Sequence, residues 1–191
     1  MKKKIRKTSR VLKQINQNIF FHIGMNIDFA RTISEYIKKH VRYNKKRVRS
    51  HIVGSIRRNC KSSKDIDMLL VVNRFARNPT VTINGLSNVV TRSKGSRKIS
   101  LMIFIFGRFI NIDIFIAKKS EEPFALFHYT GSKDYNIRIR ALSKKKGWKL
   151  NQYGIYSNKT GKKVKGSSKI KSEKSLAKFI GVRYRLPSER L

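Results

Sequence analysis

Gly54-Ser55-Ile56-Arg57-Arg58, then six residues, then Asp65-Ile66-Asp67 and the apolar run Met68-Leu69-Leu70-Val71-Val72, is the stretch whose reading decides the fold. The apolar run has the length and composition of a buried strand. Side chains alternate along a strand, so Asp65 and Asp67 share one face at its start. Two carboxylates held together repel unless a cation lies between them, and hard oxygen ligands of this kind suit Mg²⁺. Gly54 permits a close backbone approach, and Ser55, opening a helix, offers hydroxyl and N–H groups to an anion. Arg57 or Arg58 can add a bidentate phosphate contact. Alone, the Asp-x-Asp pair would fit a surface turn before an edge strand. With the glycine-serine-arginine turn at this spacing it points to nucleotidyl or phosphoryl transfer.

Outward from this stretch, Val48 to Val53 reads as a strand leading into the Gly54 turn. Before it, Asp28 is expected to cap a helix in which Ala30, Ile33, Ile37 and Val41 share a face. Asn44 to Arg49 reads as a basic turn. Residues 1–10 hold six Lys or Arg and read as a mobile basic arm. Val11, Leu12, Ile15, Ile19 and Ile23 form a helical stripe that Gly24 ends. Downstream, Asn73 to Pro79 is a loop, and Val81 to Val90, broken by Asn84-Gly85, predicts a hairpin. Arg92 to Lys98 reads as a basic loop. Ile99 to Ile105 and Phe109 to Ile116 read as strands joined at Gly107-Arg108. Asp113 sits within the second. A lone carboxylate there is costly to bury unpaired. Either it faces solvent on an edge strand, or it joins Asp65 and Asp67 as a third ligand.

Lys118 to Pro123 reads as a boundary. A short helix, Phe124 to Thr130, meets a bend at Gly131. Ser132 is placed to cap a second helix ended by Gly147, and Asn136 and Arg140 share a face of it. Trp148 to Tyr156 suggests strands, Asn158 to Lys163 a turn, and Ser172 to Ile180 a helix ended by Gly181.

Composition bounds the class. The chain has 191 residues with 39% apolar content, enough for one compact domain or two small ones. Its 46 Lys and Arg against 10 Asp and Glu give a formal charge of +36, an excess usually tolerated for a polyanionic partner. Nucleic acid is the first candidate and an anionic membrane surface the second, though no basic amphipathic helix favours a membrane. No apolar run is long enough to cross one, and the start lacks the apolar stretch of a secretory signal. Cys60 is the single cysteine, which excludes an internal disulfide and a cysteine metal cluster and agrees with a reducing compartment.

The turn with its Asp-x-Asp, the strand carrying Asp113, the run His128-Tyr129-Thr130-Gly131-Ser132, Leu150-Asn151-Gln152-Tyr153-Gly154 and the tail from Tyr184 to Arg190 together resemble the DNA polymerase X family, that of polymerase β, and most of all its small viral member. The resemblance implies an α+β fold. Residues 27–117 would be a palm with a mixed β-sheet, 118–191 a small α/β thumb-like subdomain that selects the nucleotide, and 1–26 a basic extension. It implies template-directed addition of deoxynucleotides to a primer 3′-hydroxyl, in the filling of short gaps. Asp65, Asp67 and Asp113 would hold two Mg²⁺ ions, with Mn²⁺ able to substitute. Gly54, Ser55, Arg58 and Ser63 would bind the triphosphate. His128, Tyr129, Gly131 and Asn136 would complete the nucleotide pocket, with Tyr129 against the sugar and Asn136 at the base edge. Arg140 would meet the template strand. Arg138 is a second DNA-contact candidate, for which a solvated basic helix side is the preferred reading. The partners would be gapped or primer-template DNA and deoxynucleoside triphosphates. The protein would be a monomer with no membrane association, acting inside the cell at a viral replication site in the host cytoplasm or in the virion. Three positions depart from the family pattern: Lys64 stands where glycine is frequent, Asn111 where a basic residue is frequent, and His128 where an aromatic is usual. Charge alone fits a non-catalytic DNA-binding or packaging protein, but it does not require three carboxylates. A nucleotidyltransferase for another acceptor is a third reading, against which the thumb-like run argues.

Overall fold

A computed structural model describes residues 24–190. The first helix, α1 (Ile27–His40), lies between two short strands, β1 (Met25–Asn26) and β2 (Val41–Tyr43). Asn26, not Asp28, is its cap: the Asn26 side chain accepts from the backbone N–H of Asp28 at 2.8 Å. Asp28 sits one residue inside the first turn, where its charge complements the helix dipole and pairs with Arg31 at 3.0 Å. Ala30, Ile33 and Ile37 are buried on one face as expected, but Val41 is extended and opens β2.

The main sheet has five strands in the order β3 (Arg49–Ile52), β5 (Ile66–Val72), β9 (Arg108–Lys118), β8 (Lys98–Ile105), β7 (Val89–Lys94). A short helix, α2 (Gly54–Arg57), and a two-residue strand, β4 (Ser62–Ser63), lie between β3 and β5. β5 and β9 run parallel and every other pair is antiparallel, so the sheet is mixed. The hairpin expected over Val81 to Val90 does not form. β6 (Val81–Ile83) pairs with β2 instead, and β7 pairs with β8. A strand pairs with whichever edge lets it bury its apolar side, and Ile83 reaches the core beside Val41. The expected basic loop from Arg92 is likewise strand as far as Lys94, with an irregular register between Thr91 and Ser93. The basic arm and helical stripe expected over residues 1–23 lie outside the described residues.

The period of two decides the layers. Ile110, Ile112, Ile114 and Ile116 of β9 are buried on one face with Met68 and Leu70 of β5, Leu101 and Ile103 of β8, and the apolar side of α1. The opposite face divides. Over Leu69, Val71 and Ala117 it is covered by Ala125 of α3 (Glu122–Thr130). Beyond, at the start of β5, it carries the carboxylates. A separate apolar cluster joins Phe124 and Phe127 of α3, Tyr135 and Ile139 of α4 (Lys133–Lys145), the hairpin β10 (Trp148–Asn151) and β11 (Gly154–Ser157), and α5 (Glu173–Ile180). The Ser132 side chain caps α4 and Gly181 ends α5 with φ 81°. No helix among the described residues is long and apolar enough to cross a membrane.

Candidate active site

Parallel pairing of β5 with β9 sets Asp67 directly beside Asp113, and β8 sets Ser100 on the other side of Asp113. The three side chains therefore form a row across the open face. Because β9 is central, an edge-strand position for Asp113 is ruled out. Asp65, immediately before β5, completes the group, and one oxygen from each of Asp65, Asp67 and Asp113 falls within 4.8 Å of the others. Burial is the main reason the Asp67 carboxyl is pushed up to about 7, followed by the charges of Asp65 and Asp113. Asp65 is raised as well, first by burial and then by Asp113. Converging half-buried carboxylates that resist joint ionisation are relieved by a hard divalent cation, and this all-oxygen donor set fits Mg²⁺ or Mn²⁺ chemically.

The Gly54 turn supports this group from behind. Gly54 adopts φ +64°, and a Cβ there would lie 2.1 Å from Oδ2 of Asp67. The close approach foreseen for this glycine is thus made to the carboxylate. Ser63 donates to the Asp65 carbonyl at 2.7 Å, and Ser55 and Ser63 share a hydrogen bond of 2.5 Å. With the Ser63 proton given to Asp65, the Ser55 hydroxyl is the donor to Ser63. Arg58 donates from Nη1 to the Thr130 carbonyl, while its Nε is buried without a partner. A guanidinium N–H buried without a partner is suited to an anion. Arg57 is committed elsewhere, to the Thr130 hydroxyl and, at 2.5 Å, to Glu173. Glu173 also receives the buried Arg190 at 2.7 Å.

Across the site, α3 ends in His128, Tyr129 and Thr130. Tyr129 stacks on Phe115 of β9, ring centroids 3.8 Å apart, and burial pushes its hydroxyl up to about 12. Nδ1 of His128 accepts from the Arg140 guanidinium, so the ring proton is on Nε2. Burial and then Arg140 lower the His128 imidazole to about 4, leaving it neutral. Asn136 donates to the His128 carbonyl at 2.7 Å, and its own Oδ1 is buried without a partner. Asn136 and Arg140, expected at a base edge and a template strand, thus each donate one hydrogen bond to His128. Gly131 turns the chain with φ +73°, passing so near Arg58 that a Cβ would lie 3.0 Å from its Nη1. Arg138 is exposed.

Several neighbours of the carboxylates escaped sequence reasoning. Lys98 pairs with Oδ2 of Asp113 at 2.7 Å, and Ser100 donates to Oδ1 at 2.6 Å. Arg92, at the irregular register of β7, donates to Asn111 at 3.0 Å. A signal existed for the first two: polar residues two apart in an otherwise apolar strand share a face. The irregular register carries no such mark.

Comparison with known proteins agrees with this geometry. The family model described as DNA polymerase beta palm matches residues 28–104, and the DNA polymerase beta thumb model matches residues 125–191. The chain is 42% identical over 143 residues, 73% of its length and 79% of the relative's, to the Repair DNA polymerase X of African swine fever virus (strain Badajoz 1971 Vero-adapted). It is 28% identical to the DNA polymerase/3'-5' exonuclease PolX of Bacillus subtilis, over 74% of this chain and 24% of that one. Among solved structures it resembles a ternary P/T complex of Leishmania infantum polymerase beta, TM-score 0.69 at 20% identity, over 90% of this chain and 78% of the other. At that identity the likeness speaks for the fold.

Proposed function

The chain belongs to the DNA polymerase X family, and from this premise we propose that it is a repair-type, DNA-directed DNA polymerase that fills short gaps. The observation that carries the reading is the row of Asp67 and Asp113 on parallel strands with Asp65 beside it. The deoxynucleoside triphosphate would enter between the Gly54 turn and the end of α3. Arg58 and Ser55 would take its phosphates, the unpartnered Nε of Arg58 being a ready donor. The Tyr129 ring, propped on Phe115, would limit room at the sugar. Neutral His128 would present an Nε2 proton as a donor. Asp65, Asp67 and Asp113 would hold two Mg²⁺ ions, or Mn²⁺ in their place, and such a pair supplies charge stabilisation to the attacking and leaving oxygens. Asp113, on the side away from the Gly54 turn, would face the primer 3′-hydroxyl. Residues 27–117 would act as palm and 118–191 as the nucleotide-selecting subdomain, in a monomer. The viral relatives favour a virus-encoded protein working inside the host cell.

The test is primer extension on gapped DNA with Mg²⁺, with and without template, for wild type and Asp113→Asn. Template-dependent extension by wild type is expected. The near-isosteric asparagine should keep fold and nucleotide affinity while single-turnover extension falls by roughly a thousandfold or more, because the lost interaction is made in the transition state. Binding of DNA without extension would favour a packaging role, and extension without template another acceptor chemistry.

A further inference from the structure

The carboxylate row has a cation of its own. Lys98 stands on β8, two residues before Ser100 and on the same face, with its ammonium 2.7 Å from Oδ2 of Asp113 and 5.3 Å from the centre of the Phe115 ring. Ser100 takes the other oxygen, so both Asp113 oxygens are engaged by donors from the neighbouring strand. The two ends of this pair differ: the Asp113 side chain is 25% exposed, while that of Lys98 is 48% exposed. A lysine carries a compact charge on a flexible stem, so the ammonium can leave toward solvent while the carboxylate stays fixed by Ser100. We propose that Lys98 is a resident countercharge for the three-carboxylate site, holding Asp113 in place in the metal-free protein and withdrawing when a divalent ion binds.

Lys98 is on this view a positioning residue that competes with the ion for one oxygen of Asp113. It lowers the repulsion among Asp65, Asp67 and Asp113 when no metal is present, and it opposes metal entry by like charge. The inference rests on the assignment of these carboxylates as metal ligands. The experiment is Mn²⁺ binding followed by electron paramagnetic resonance without DNA or nucleotide, with melting temperature recorded in chelator and in saturating Mn²⁺. Wild type, Lys98→Met, Lys98→Arg and Asp113→Asn are compared. Lys98→Met should bind Mn²⁺ roughly five- to tenfold more tightly, the size expected for removing one partly solvated charge next to the ion. Its melting temperature should fall in chelator and recover in Mn²⁺. Lys98→Arg, keeping the charge, should bind as wild type does. Unchanged or weaker binding by Lys98→Met, or a melting deficit equal in both conditions, would overturn the countercharge role while leaving the metal site standing. Wild type that binds no Mn²⁺, or binding that survives Asp113→Asn intact, would overturn the ligand assignment and this inference with it.

Discussion

Asp67 shows how much the site asks of one residue. Its carboxyl takes up a proton at about 7 in the folded protein, against 3.8 ordinarily. A raised folded value means that its contribution to stability is fully present below about 3.8 and is lost as the pH rises through about 7. Asp67→Asn should therefore raise the melting temperature of the metal-free protein at about pH 8, by a gain on the order of 3 kcal/mol, and change little at about pH 4. In saturating Mg²⁺ the gain should shrink or reverse, because asparagine is a poorer ligand. Thermal melts at both pH values, with and without Mg²⁺, check this. Gly54 is equally constrained. Gly54→Ala would place a methyl 2.1 Å from Oδ2 of Asp67 on a backbone at φ +64°. Stability should fall by roughly 1–3 kcal/mol, and extension by tenfold or more, as read from denaturant unfolding and single-turnover rates.

At the scale of elements, the α3–α4 bend makes a pocket wall that is partly self-satisfied. α4 reaches back to α3 through Asn136 and Arg140, both to His128. The imidazole is held near 4 mostly by burial and secondly by the Arg140 charge. Arg140→Met should raise the His128 value only part of the way back, since burial, the larger cause, remains. A histidine NMR titration measures it; a return to the ordinary 6.5 would mean that Arg140, not burial, keeps the ring neutral. The same variant should weaken duplex binding if Arg140 exchanges His128 for a phosphate. The sheet makes a complementary point. β8 supplies Ser100 and Lys98 because the register of its antiparallel hairpin with β9 puts Ser100 opposite Asp113.

Over the whole molecule the governing quantity is charge. A formal +36 on 191 residues is strongly self-repelling, and a polyanion relieves it. DNA affinity should fall steeply with salt, with a log–log slope of roughly −0.9 for each phosphate neutralised. Five contacts would give a slope near −4.5 by the same rule. Duplex titration across salt concentrations reads it, and a slope near zero would mean that the basic surface does not dock the DNA.

What the sequence by itself determined was local. The apolar run after Asp67, the isoleucine alternation around Asp113 and the Gly131-Ser132 bend each specify an element through periodicity, capping or turn chemistry, and each forms where expected. Alternation also placed Asp65 and Asp67 on one face before any partner strand was known. The sequence misled where pairing was non-local: Val81 to Val90 has a turn signal in Asn84-Gly85, yet its two halves join β2 and β8 because burial against those strands outweighs a marginal hairpin. Helix capping misled by two residues, since Asn26 and Asp28 are both competent caps and the entry from β1 selects the first. Only the tertiary structure set Asp113 beside Asp67, since strand order is not encoded in any one strand. Only it brought Lys98 and Ser100 to Asp113, turned Arg57 away to Glu173, and seated Tyr129 on Phe115. Arg57–Glu173 and Asp67–Asp113 join residues far apart in the chain, while Lys98, Ser100 and Tyr129 depend on the exact register and packing around β9; such partners are chosen by pairing and packing, which a pattern of residues along one segment does not contain.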